Sequence, residues 1–257
     1  MEPVLLEKDG PVGWLTLNRP ESRNALSIDV MNDMLDKLGQ IAQNQDIRVV
    51  VIRGKGPAFC AGHNLKDMVG PDLDIRYFYT MFSVCARMMR SLHELPQPVI
   101  AQVHGIATAA GCQLVAACDL AVAETGAQFA TPGVKIGLFC TTPAVPLVRV
   151  IGRRRAMEML LTGRFFSAEQ AEKFGLVNQV VPLEELSRRT RDLAAEMAQY
   201  SRQTLSFGKQ TFYRQVDLSE TSAYDYATYA IATNCLDEDA QEGIRAFIAK
   251  RAPVWKN

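Results

Sequence analysis

Residues 48–66 read RVVVIRGKGPAFCAGHNLK. Val49–Ile52 is an unbroken β-branched run between two arginines. Apolar side chains at successive positions cover both faces of a strand, so this one is expected inside a layered, largely parallel sheet. Gly54 to Gly62 follows as a loop of mostly small residues. Such residues after a strand let the backbone turn sharply and approach a ligand. There is no GxxxxGK[ST] pattern, so this is not a Walker loop. On its own the loop reads equally well as a tight surface turn.

The same grammar recurs further along. Val99–Val103 (VIAQV) is a second buried strand, Gly105 to Gly111 a small-residue turn, and Cys112–Cys118 an apolar stretch that reads as a short buried helix. A helix start presents unpaired N–H groups and the positive end of the helix dipole. Two such loops at one sheet edge could aim two N–H donors at a single oxygen, forming an oxyanion hole. One donor in such a hole is typically worth ~2.7–4 kcal/mol of barrier.

Working outward, Val4–Leu6 and Gly13–Leu17 read as a hairpin around Lys8-Asp9-Gly10. Ser27 is the expected N-cap of a helix running to Gln43, with Val30, Met31, Met34, Leu35, Leu38 and Ile41 on its apolar face. Phe78–Leu92 is expected to be helical, and 120–123 and 128–130 to be short strands. Beyond Pro143 the pattern turns helical over 144–151, 154–162, 167–174, 183–200, 201–216, 219–236 and 240–250, with one strand-like run at 176–181. This is an α/β layout with a helical C-terminal part. Arg202, Lys209, Arg214 and Lys250 on the late helices read as solvated charges, or as part of a subunit interface.

The chain has 257 residues, with 28 Lys+Arg against 28 Asp+Glu. Zero net charge argues against a general nucleic-acid binder. No apolar run approaches the ~20 residues of a membrane helix. The six cysteines form no CxxC pair and the three histidines, His63, His93 and His104, are scattered, so no metal site is expected. Free thiols and the absence of a basic or Arg-rich leader point to the cytoplasm, or to an organelle matrix if a transit segment precedes this chain.

Five segments, in order, resemble one family. Asn18-Arg19-Pro20 with Asn24-Ala25-Leu26 matches its N-R-P…N-A-L opening. Phe59–Met68 is similar to F-x-A-G-x-D-[IL]-K-E-M, with Asn64 for Asp. Gly105–Asp119 is similar to G-x-A-x-G-G-G-x-E-L-x-x-x-C-D. Gly163–Gln179 resembles its G-…-A-x-E-A-x-x-x-G-L-V segment, with Gln170 for Glu. Gln241–Pro253 matches the E-G-x-x-A-F-x-x-K-R-x-P close. The family is the crotonase superfamily, that is, the enoyl-CoA hydratase/isomerase family.

The resemblance implies a crotonase-like ββα spiral core over residues 1–195 and a helical trimerisation region over 196–257, assembling as a homotrimer or a dimer of trimers. It implies an acyl-CoA substrate and no tightly bound cofactor, coenzyme A arriving with the substrate. The oxyanion donors would be the backbone N–H groups of His63 and Ala110. The coenzyme A contacts would come from Arg23, Ala25, Ala61, His63, Asn64, Leu65, Lys66, Ala110 and Gly111, with Lys250 and Arg251 reaching a neighbour's coenzyme A in a trimer.

The family's hydratases use two glutamates, and their positions here hold Gln113 and Gly133. An amide cannot serve as general acid or base, and glycine has no side chain. Each such group is worth ~10²–10⁴-fold in rate. Ordinary water addition is therefore expected to be atypical or weak. Malonyl-type acyl-CoA decarboxylation and non-catalytic acyl-CoA binding are the alternatives. His63 is a candidate proton carrier, or packs over the coenzyme A. Cys140 is a candidate nucleophile, or a packed small residue. Asp119, His93 and His104 are expected to be structural.

Overall fold

The computed structural model describes residues 2–71 and 73–256. The strands are β1 (Val4–Asp9), β2 (Val12–Leu17), β3 (Val49–Gly54), β4 (Val99–Val103), β5 (Ile106–Thr108), β6 (Leu120–Glu124), β7 (Gln128–Ala130), β8 (Phe166–Ser167) and β9 (Gln179–Val181). The helices are α1 (Ile28–Gln43), α2 (Ile75–Glu94), α3 (Ala110–Ala117), α4 (Thr141–Thr162), α5 (Ala168–Phe174), α6 (Leu183–Ala198), α7 (Arg202–Gln215), α8 (Glu220–Asn234) and α9 (Glu238–Ile248).

Six strands form the main sheet in the order β1-β2-β3-β4-β6-β9, antiparallel at the opening hairpin and parallel thereafter. The hairpin turns on Gly10, at φ 56°. The β-branched run of β3 does what its pattern requires. Val50 and Ile52 point into the larger core with α1 and α2, while Val49 and Val51 join Trp14, Ile100 and Val122 beneath Leu186 and Ala194 of α6. Apolar residues at every position are thus buried alternately on two faces.

The second sheet, β5-β7-β8, departs from the sequence expectation. Ile106–Thr108 lies inside the expected turn but forms a strand, because Gln128–Ala130 pairs with it in register. Phe166–Ser167 was not expected to be extended, and it is held by antiparallel pairing with β7. Helix α2 begins before Phe78, since Asp74 caps it by accepting from the N–H groups of Arg76 and Tyr77 at 3.0 and 2.9 Å. The segments 144–151 and 154–162 are one element, α4, broken at Gly152, where φ is 73°. Ser167 and Gln170 form a reciprocal capping box at α5, a part that glutamine can play as well as glutamate. The expected division at 195/196 falls within α6, whose Ala194 and Ala198 pack under the main sheet.

Lys209 corrects another expectation. It is not a solvated charge. Its side chain is only 6% exposed. Its ammonium lies 2.7 Å from Asp119 and donates to the carbonyls of Leu92 and Gln97. Asp119 also accepts from the Tyr213 hydroxyl and the Val99 N–H, each at 2.7 Å. This buried network ties α7 to the end of α3 and the start of β4. His93 stacks on Tyr213 with ring centroids 3.9 Å apart, and His104 bonds the Gly56 carbonyl at 2.8 Å, so both have structural contacts.

Candidate active site

The site is built by three loops at the ends of strands. Asn24 organises the first two. Both Arg23 and Asn24 have positive φ, at 53° and 56°. The Asn24 amide accepts from the Arg19 N–H and donates to the carbonyls of Lys55 and Ala58 at 2.9 and 2.8 Å. The 19–26 turn is thereby clasped to the loop after β3. The Ala61 N–H then bonds the Arg23 carbonyl at 3.0 Å. Leu26 pairs with His63 in parallel fashion, through Leu26 N–H to Gly62 and Asn64 N–H to Leu26. In that geometry the bonds run through the residues flanking His63, so the N–H of His63 points away from Leu26. It has no partner among the described residues.

The loop from β5 to α3 lies against this one. Cys60 N–H bonds Ile106, Thr108 N–H bonds Cys60, and the Thr108 hydroxyl donates to Ala61 at 3.0 Å. Ala109 makes the turn into α3 at φ 50°, ψ −117°, held by its N–H to the Ala130 carbonyl at 2.9 Å. Ala110 is the first residue of α3, where an N–H has no partner within the helix.

Two glycines let the loops meet. A Cβ on Gly62, whose φ is +91°, would lie 2.8 Å from the Thr108 carbonyl and 3.2 Å from the Ala110 nitrogen. A Cβ on Gly111 would lie 2.1 Å from the Cys60 carbonyl. The N–H groups of His63 and Ala110, neither with a partner among the described residues, therefore sit one residue from the points where the two loops touch.

This arrangement has close counterparts. The enoyl-CoA hydratase/isomerase family model matches residues 7–257. The chain belongs to the enoyl-CoA hydratase/isomerase family. It is 44% identical over 257 residues to the mitochondrial enoyl-CoA hydratase domain-containing protein 3 of Danio rerio, covering 99% of this chain and 88% of that one. The crystal structure of an enoyl-CoA hydratase from Mycobacterium smegmatis superposes with a TM-score of 0.96 at 44% identity, covering 99% of each chain. The human enoyl-CoA hydratase domain-containing protein 3 superposes at 0.95 with 41% identity, over 98% of this chain and 100% of that one.

Of the expected coenzyme A residues of this family member, Arg23, Ala25, Ala61, His63, Asn64, Leu65 and Lys66 are brought together by the 23–26 and 61–66 pairing. Arg23, Leu65 and Lys66 are exposed. Asn64, in place of the family's Asp, still accepts from the Lys66 N–H and adds a bond to Asp67 at 2.9 Å, so the turn survives the exchange. Asn24 and the strained Ala109 were not singled out from the sequence. The N-A-L segment held the signal for the first. For the second, the signal was alanine in a glycine triplet.

Gln113, one turn into α3, is 3% exposed, and its Oε1 is buried without a hydrogen-bond partner. His63 is wedged edge-on against Phe82, ring centroids 5.2 Å apart, with both ring nitrogens buried and lacking a close partner. Burial pushes its pKa below the usual imidazole value, against a smaller pull from the Leu26 backbone, so the ring is neutral at pH 7. Gly133 packs under Cys140. A Cβ there would lie 2.8 Å from both the Cys140 sulfur and the Leu138 carbonyl. Burial raises the Cys140 thiol, which keeps it protonated, the opposite of an activated nucleophile.

Proposed function

We propose that the chain binds acyl-CoA thioesters and stabilises an enolate formed from them between the N–H groups of His63 and Ala110. The observation that carries this reading is the pair of unpartnered N–H groups on loops locked together at Gly62 and Gly111. A thioester oxygen accepting both bonds becomes a better seat for negative charge, and the Cα protons become more acidic. Neither Gln113 nor Gly133 carries a carboxylate, so water addition lacks its usual proton carriers. The Gln113 Oε1 can accept a bond from a water but cannot take its proton.

Those two positions favour a second reading, decarboxylation of a malonyl-type acyl-CoA. The Cα–carboxylate bond breaks, its electron pair passes to the thioester carbonyl, and carbon dioxide leaves. The enolate then takes a proton at Cα. No base is needed to generate it. A non-catalytic acyl-CoA binder would keep the loops and make no product.

Arg23 and Lys66, exposed and without an acidic partner among the described residues, are assigned to the coenzyme A phosphates. Exposed Leu236, Phe247, Ile248 and Val254 support the helices after 196 as the surface of a homotrimer or a dimer of trimers, which light scattering tests. Relatives named as mitochondrial make an organelle matrix as reasonable a location as the cytoplasm.

The experiment is a turnover panel of enoyl-, hydroxyacyl- and malonyl-type CoA thioesters, followed by loss of substrate. Conversion of the enoyl thioesters supports the hydratase/isomerase reading, and release of carbon dioxide the decarboxylase. Binding without turnover overturns both in favour of a binder. Absence of binding overturns the acyl-CoA assignment.

A further inference from the structure

We propose that the cleft leading away from Gln113 seats acyl tails that end in a carboxylate. This deepens the acyl-CoA reading and rests on it. The cleft has a volume of about 790 Å³ and is walled by Gln113, Ala116, Ala117 and Asp119, so it follows α3 from its first turn past its C-terminal end. Val145 and Pro146 of α4 and Phe212 of α7 make the facing wall apolar. From Ala110 to Ala117 the helix rises roughly 10 Å. Three residues of extended backbone, nine bonds, span about the same distance. Nine bonds join ten atoms, so a thioester whose carbonyl lies at Ala110 puts a terminal carboxylate oxygen at the far end with roughly nine carbons, and an eight-carbon diacid ends one bond short, within hydrogen-bond reach of a guanidinium.

The cleft is also charged. Arg90 on α2 and Arg214 on α7 line it, are exposed, and have no acidic partner among the described residues. Arg214 follows Tyr213, which bonds Asp119 just past α3, and Arg90 lies one turn before His93, which stacks on Tyr213, so both belong to the far end. Three acids also line the cleft: Asp119, Asp217 and Glu94. Asp119 is neutralised by Lys209 at 2.7 Å, and Asp217 lies 3.3 Å from Arg149. Glu94 is the one acid of the lining left to set against Arg90 and Arg214, so the lining carries one positive charge in excess. An apolar tail fills the passage, and a terminal carboxylate meets guanidinium groups that can grip it by two parallel bonds. An uncharged tail would leave both arginines to water.

The test is calorimetric titration of the full chain with acetyl-CoA, octanoyl-CoA and the mono-CoA thioester of the eight-carbon dicarboxylic acid. Expected is tighter binding of the dicarboxylic thioester than of octanoyl-CoA, roughly threefold to tenfold at low salt. That advantage should vanish in the Arg90→Gln/Arg214→Gln double variant, while its acetyl-CoA affinity stays unchanged. Both side chains are exposed, and an unchanged melting temperature checks that the variant keeps its fold. Equal or weaker binding of the dicarboxylic thioester overturns the proposal and leaves the acyl-CoA reading standing. So does an advantage that persists in the double variant. Failure of all three thioesters to bind overturns both.

Discussion

Ala109 offers a test in which the sign of the effect is the result. Replacing alanine by glycine ordinarily destabilises a protein. The backbone at 109, φ 50° and ψ −117°, is one that an L-residue enters at a cost of ~1–3 kcal/mol, whereas glycine enters it freely. Ala109→Gly removes that strain. Against it stand the half-buried methyl, about 0.4 kcal/mol, and the freer unfolded chain, ~0.4–1 kcal/mol. At the middle of these ranges the net is a stabilisation near 1 kcal/mol, or ~2–4 °C in melting temperature for a chain of this size. The neighbouring Ala110→Gly is the control. Ala110 is 1% exposed and lies in the first turn of α3, so that change loses a buried methyl and helix propensity, about 1–2 kcal/mol. Denaturant unfolding of both variants should therefore show shifts of opposite sign. If Ala109→Gly is destabilised as much as Ala110→Gly, the turn is not strained and the account of how the Ala110 N–H is presented fails.

Three further outcomes follow from the same geometry. Gly111→Ala would drive a Cβ to 2.1 Å from the Cys60 carbonyl, so the two loops must part. A melting-temperature loss together with at least a tenfold weaker affinity for an acyl-CoA thioester is expected, and wild-type binding would refute the locked-loop reading. Gly133→Glu with Gln113→Glu should give no crotonyl-CoA hydration, and adding Cys140→Gly should not restore it, because the Leu138 carbonyl stands as close to the new Cβ as the Cys140 sulfur, 2.8 Å from each; hydration in either variant would show that the loop yields. His63 and His93 both have pKa values depressed by burial, so the unfolded chain takes up protons before the folded one as pH falls below the ordinary histidine value near 6.5. Stability is therefore lost on acidification through that range, by at most ~1.36 kcal/mol per pH unit for each histidine; His63→Gln should flatten the slope of unfolding free energy between pH 7 and pH 5, and an unchanged slope would refute the burial argument.

How much of this was readable beforehand depends on how local the cause is. Val49–Ile52 announces its strand because covering two faces needs only consecutive apolar residues. Ser27 marks the start of α1 as expected, although its hydroxyl bonds Asp29 and not a helix N–H. Ile106–Thr108 did not announce β5, since its partners, Gln128–Ala130 and Cys60, are supplied by distant parts of the chain. Lys209 looked like any amphipathic-helix charge until Asp119, Leu92 and Gln97 closed round it. Gly133 read as a lost carboxylate, but the lack of room for any side chain there is set by Leu138 and Cys140. The first two misses are contacts between distant parts of the chain, and the third is a tight fold-back between residues 133 and 140, none of which a spacing rule encodes.

The same distinction bears on the proposed site. The two donors proposed for it are main-chain groups, so Ala110 can stand where the family has glycine and still present an N–H. The donors are placed by contacts at Gly62 and Gly111 that admit no side chain, and by the Asn24 clasp. The positions where the family's hydratases carry their glutamates are separate from these contacts: Gln113 is buried on α3 and Gly133 in the turn before α4, and no bond that orients the donors runs through a side chain at either. A chain built this way can exchange its acid and base while keeping its grip on a carbonyl oxygen. The consequence is a separation that binding and turnover measure independently. Changes at 62 or 111 should weaken thioester binding whatever the reaction, and changes at 113 should alter the reaction while binding holds.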